Sequence, residues 1–218
     1  MKRRFFDIYQ YIALFVLCPF SYFLWKSALH SNKLTIIILG LPILVSYIIP
    51  LIGTNITKFW EFNIKNKTLN IRPHHGFVFG STTSLIGFIF YLISPAYTGI
   101  LNSLIFAFVC GAFIAFWNTL YDYNAVKCGL IKINNISAKK GKSSLEIVWD
   151  YAPVYFYTLG FIYALFIKLM EHIKNIGLET FSIKLILLFY MLALTLPTIM
   201  YMLFHYKKYK NWEFGGCK

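Results

Sequence analysis

The chain has 218 residues, 58% of them hydrophobic and only 13% charged, with a formal net charge of +13. A soluble domain is typically about 45–50% apolar and about 25% charged, so this balance excludes an ordinary globular core. A basic soluble protein would suggest nucleic-acid binding, but the placement of the charges argues for no nucleic acid among the partners.

The apolar residues fall in six runs: Ile8–Trp25, Leu34–Ile52, Gly76–Ile93, Ile100–Leu120, Val154–Met170 and Ile183–Phe204. Each is close to the roughly 20 residues that cross a hydrocarbon core of about 30 Å. The expected fold class is an all-α integral membrane protein with about six transmembrane helices, forming a single polytopic membrane domain over residues 1–218. The first run follows Lys2, Arg3 and Arg4 like a signal peptide. No small-x-small cleavage site comes after it, and it reads as a retained helix.

Lysines and arginines cluster in alternate connections. Lys2, Arg3 and Arg4 precede the first run, and Lys58, Lys65, Lys67 and Arg72 follow the second. Lys127, Lys132, Lys139, Lys140 and Lys142 follow the fourth, and Lys207, Lys208, Lys210 and Lys218 follow the sixth. The other side keeps only Lys26, Lys33, Lys168, Lys174 and Lys184. The positive-inside rule then places both termini in the cytosol, N-in and C-in, for a multi-pass protein of a cell membrane. The basic loops would meet anionic headgroups, making membrane lipids the expected partners. A helix-mediated oligomer or a membrane partner subunit is a further expected association.

The first basic connection alternates apolar and polar residues over Trp60–Ile64 and Thr68–Ile71, around Lys65-Asn66-Lys67. That pattern predicts a small cytosolic β-hairpin cap. Gly129–Ile133 in the second also reads as extended. Ser143-Ser144-Leu145-Glu146 matches a capping box, so the fifth helix is expected from Ser144 through Asp150, kinked at Pro153.

Gly76, Gly80 and Ser84 recur every four residues in the third span, as do Ala107, Gly111 and Ala115 in the fourth. Such stripes let backbones approach closely in lipid, and the short Ser94–Gly99 connection predicts that they face each other. Folding the hairpin near Ala96 sets His75 level with Asn118, and Arg72 level with Tyr121 or Asp122. Asn118 and Asp122 share a helix face. Opposite them stands Arg72-Pro73-His74-His75, with Glu61, Glu146, Asp150, His205 and Glu213 on the same side and Glu171 and Glu179 on the other.

This cluster is the candidate site. His75 or His74 would act as acid and base, and Asp122 would orient the histidine or hold a cation. Arg72 would hold an anionic group, with Asn118, Glu146 and Asp150 as further binding residues. The donor types suit a divalent metal, a phosphate or a lipid headgroup, and nothing in the sequence selects a cofactor among them. Adjacent histidines in extended backbone point apart, and no His-Glu-x-x-His or paired cysteine is present. Cys18, Cys110, Cys128 and Cys217 have no short spacing.

A plainer structural reading makes Arg72–Asp122 an ion pair fixing the hairpin and Glu146 a helix cap. The functional classes that fit are an enzyme acting on a lipid or isoprenoid-like substrate, a small-solute transporter or substrate-binding membrane subunit, and a structural or assembly subunit. No carboxylate falls at a helix centre, which counts against cation-coupled transport.

Overall fold

The computed structural model describes residues 3–94, 99–176 and 182–212; Ala96, Glu179, Glu213 and Cys217 lie outside them. Helix α1 (Arg3–Ile12) passes through a π-helical turn, Ala13–Leu17, into α2 (Cys18–Leu29). Pro19 explains the turn. Its ring crowds the carbonyl four residues back and it has no N–H to donate. The helix widens there, and Cys18 N–H bonds to the Ala13 carbonyl five residues back. Helix α3 (Asn32–Asn55) starts at Ser31, whose hydroxyl accepts the Leu34 N–H at 3.3 Å, an N-cap.

Helices α4 (His75–Ile93), α5 (Ile100–Lys127), α8 (Ala152–Ile176) and α9 (Ser182–Tyr209) complete the bundle, with short α6 (Ile136–Lys139) and α7 (Ser144–Trp149) between α5 and α8. Among the described residues six helices are long and apolar enough to cross a membrane, with α1, its π turn and α2 acting as one. Two-thirds of the apolar stretch of α8 is buried inside the bundle, against 11% for α9. Helix α8 is therefore the central post, packed by α5, α9, α3 and α4, while α9 lies outermost.

The two small-residue stripes do not face each other. Gly76 and Gly80 turn to α3: a Cβ on Gly80 would lie 2.5 Å from Ile43 Cα, and one on Gly76 2.1 Å from the Tyr47 ring. Gly111 turns to α8, where a Cβ would lie 2.8 Å from the Phe161 backbone nitrogen, and Gly160 meets it from the other side. Small residues set how closely helices approach, not which helix approaches. Each stripe here is used by a neighbour other than its hairpin partner.

The cap is a two-stranded sheet, but not the expected hairpin. Strand β1 (Trp60–Phe62) pairs antiparallel with β2 (Ile131–Ile133), with Glu61 opposite Lys132. Thr68 and Ile71 instead close a tight turn on each other, with Leu69 and Asn70 at φ 49° and 63°. Two successive positive φ values define a type I′ turn, which asparagine tolerates. The strands pair across the molecule because this buries Phe62, Ile131 and Ile133 on one side and leaves Glu61 and Lys132 outside, where they form an ion pair at 3.2 Å.

The capping box at Ser143 and Glu146 forms as expected. The helix beyond it breaks rather than kinks: α7 ends at Trp149 and α8 resumes at Ala152. Pro153 cannot donate to the Trp149 carbonyl and restricts the residue before it. At the far end α8 runs beyond Met170 to Ile176, so Glu171 is helical and buried rather than a loop residue, one turn from buried Lys168.

Arg3 donates to the Asn63 carbonyl. Tyr209 reaches Ser137 at 3.3 Å and Asp150 at 2.7 Å. The described ends of the chain therefore lie at one face, together with the sheet and both lysine-rich connections. Below, this is the basic face.

Candidate functional site

Beneath the sheet lies a small, mostly apolar cavity of about 50 Å³. Trp60, Phe62 and Ile131 form its roof, α3 and α8 supply mostly apolar walls that include Tyr155, and His75 and Asp122 are its imidazole and its carboxylate. The sequence thus brings together at least this pair, from the first turn of α4 and the last turns of α5.

His75 is 3% exposed. Its ring centroid lies 5.0 Å from that of Phe62 and 5.2 Å from that of Phe79, and its Nδ1 has no hydrogen-bond partner among the described residues. A buried ring nitrogen with no partner is uncommon, because desolvation of the polar atom is uncompensated. Asp122 is 4% exposed and accepts a hydrogen bond from the Tyr151 hydroxyl at 2.6 Å. Burial, and then the Asp122 carboxylate, push the Tyr151 hydroxyl well above its ordinary pKa. It therefore stays protonated as the donor. Tyr151 sits at the break between α7 and α8, held edge-on by Phe59 and Trp60. Sequence reasoning passed over it, although Pro153 marked the break that aims it inward.

The other expected members go elsewhere. Arg72 makes no ion pair with Asp122. It is 2% exposed and donates from Nη1 to the Tyr121 hydroxyl at 3.1 Å and the Phe6 carbonyl at 3.3 Å. The depth inferred from the hairpin is right, but Tyr121 and Asp122 leave the helix about 100° apart, and Arg72 takes the tyrosine side. His74 turns away from His75. It packs on the Tyr11 ring at 5.5 Å and lines a second pocket with Arg72. Asn118 is buried one turn deeper in α5. Glu146 is exposed and occupied by its cap and by Lys142 at 3.3 Å. Asp150 is buried but accepts from Lys208 at 2.5 Å and Tyr209 at 2.7 Å, so it fastens the end of α9.

With the two histidines diverging, no group of three or more His, Cys, Asp or Glu side chains among the described residues is placed to hold a metal. The arrangement that remains is an acid–base pair in a mostly apolar cavity: an imidazole whose Nδ1 has no partner among the described residues and a carboxylate steadied by a tyrosine.

The six spanning helices fit a multi-pass membrane protein. Comparison with family models, curated proteins and solved structures gives no match, so the reading of function rests on this geometry.

Proposed function

We propose that this chain is a membrane enzyme acting on a lipid or isoprenoid-like amphiphile at the cytosolic leaflet of a cell membrane, with both termini cytosolic. The observation that carries the reading is His75. Its imidazole is buried, lines the same cavity as Asp122 and has a ring nitrogen with no partner among the described residues. Such a nitrogen suits proton exchange with a bound group. In this reading Tyr151 fixes one oxygen of Asp122, and the carboxylate orients the polar group of the substrate against His75. The apolar walls take the adjoining hydrocarbon.

A cavity of about 50 Å³ admits the reacting group rather than a whole headgroup. Entry therefore involves movement of the roof. A two-stranded sheet is marginal on its own, and here its strands are three residues long, so this is the part of the wall least costly to displace.

The test is a comparison of lipid extracts from cells expressing the wild type, His75→Ala and Asp122→Asn at equal membrane levels. A species formed or consumed only with the wild type is expected. Identical extracts from all three would sink the enzyme reading.

Transport is the second reading, favoured by one observation. Buried polar groups continue through the bundle away from the cavity, with Ser21 bonded to Ser84 at 2.8 Å, Trp25 bonded to Ser84 at 2.9 Å, and the Lys168–Glu171 pair beyond. Uptake of a solute into vesicles that is abolished by Ser84→Leu would favour it.

A further inference from the structure

The second pocket on the basic face is separate from the His75 cavity. It is about 600 Å³ and lies between α1, residues 63–66 and the start of α4. Arg3 and Lys65 line it with Arg72 and His74, and Asp7 is its single carboxylate.

Arg72 is the unusual member. Its guanidinium is almost wholly buried, yet it forms no ion pair among the described residues. Its contacts there are neutral: the Tyr121 hydroxyl, the Phe6 carbonyl and the face of the Phe6 ring at 5.9 Å. Nη2 has no acceptor among the described residues. Burying a cation away from water without a counter-ion is strongly unfavourable, and arginine cannot escape the cost by losing its proton. A fold that keeps such a group beside a pocket rimmed by further cations is completed by an anion from outside. The planar, multi-donor guanidinium matches the oxygens of a phosphate group, and a volume near 600 Å³ is within the usual range for a small-molecule site.

We propose that this pocket binds a phosphate or diphosphate group, with Arg72 as its buried anchor and Arg3 and Lys65 as its rim. Asp7 opposes binding and disfavours anions held only at the rim. Binding stands on this geometry alone. It rests on the enzyme reading only in identifying the bound molecule as substrate, which would then be a phosphorylated amphiphile.

The experiment measures binding of inorganic diphosphate to the purified full chain by calorimetry. In parallel it measures capture of phosphatidic acid from phosphatidylcholine nanodiscs by native mass spectrometry. Diphosphate alone binding identifies a free phosphate ligand; phosphatidic acid alone identifies a lipid headgroup; either supports the site. Arg72→Gln is expected to weaken binding about tenfold or more. Because Arg72 also braces α1, Lys65→Gln provides an exposed second variant, with an expected loss of about two- to fivefold. Lys207→Gln removes the same charge elsewhere and should change nothing.

If neither probe binds, or if Lys207→Gln weakens binding as much as Lys65→Gln does, the proposal is overturned. His75→Ala separates the two readings: it should keep diphosphate binding while abolishing lipid turnover. Binding without any His75-dependent turnover leaves the site standing and removes the enzyme. Turnover without binding does the reverse.

Discussion

The bundle buries ionisable residues at both ends of α8, and the two ends are built differently. At the end away from the basic face, Lys168 and Glu171 pair at 2.9 Å, one helical turn apart. Lys168 also donates to the Ser94 hydroxyl at 2.8 Å and lies 4.8 Å from the centre of the Phe106 ring. These charges are answered from within the fold. At the basic end His75 leaves a nitrogen unused beside a cavity, and Arg72 has no carboxylate at all among the described residues. A buried charge that is fully answered holds helices together; one left partly unanswered has capacity for a ligand. By that contrast the basic end is where a buried cation lacks a counter-ion among the described residues.

The largest test of the contrast is at the closed end. Lys168→Met leaves Glu171 buried without its partner and should cost about 3–5 kcal/mol, read as a lower unfolding temperature in detergent. Adding Glu171→Leu should recover most of the loss. An unchanged midpoint for the single variant would mean that this pair is no more structural than the open end. Next in size is helix contact. Gly80→Ala forces a methyl group against the α3 backbone and should cost about 1–3 kcal/mol, whereas Ala at exposed Lys207 should have little effect on stability.

At the open end the effects on stability should be smaller and those on function larger. Tyr151→Phe removes the donor to buried Asp122 and should cost about 1–3 kcal/mol, together with any His75-dependent activity. Asp122→Asn keeps an acceptor for Tyr151, so the midpoint should move less than in Tyr151→Phe while the activity is lost. The smallest effect concerns pH. A hydrogen bond from Asn134, then Lys132 and Lys67, hold Glu61 below the ordinary carboxylate range. A depressed folded pKa contributes stability above the unfolded value, near 4.3, and loses it as pH falls through the folded value. Glu61 is half exposed, so a melting series under acid should resolve at most a slight difference between wild type and Glu61→Gln.

The spans were legible because lipid imposes a length and a polarity that composition reveals directly. Ile8–Trp25 falls inside the first span and Ile183–Phe204 inside the last. The ends were less legible. Glu171 reads as the start of a loop because charge usually ends a span, and nothing local shows that it pairs with Lys168 one turn earlier. The partner of β1 was illegible for another reason. Alternation marks Trp60–Phe62 as a strand, but its mate at Ile131–Ile133 lies beyond two spans, and sequence pattern carries no long-range pairing. In the candidate site, His75 and Asp122 could be paired by depth. Depth alone sets Arg72 level with Tyr121 or Asp122 and does not choose between the two sides of α5; its guanidinium takes the Tyr121 side. Adjacent histidines in extended backbone point apart, and on the backbone entering α4 His75 and His74 line different pockets.

The pairing of β1 with β2 also bears on how the protein is made. The first strand is synthesised before the third span and the second only after the fourth. A nascent chain that has inserted three spans carries His75 and half of its roof, but neither Asp122 nor the strand that completes the cover. The chamber cannot close until the fourth span has entered the bilayer, and Tyr151 arrives later still. Assembly of the basic end is therefore tied to the later steps of membrane insertion, and a ribosome-bound intermediate arrested after Ile93 should expose Trp60 and Phe62 to solvent or to a chaperone.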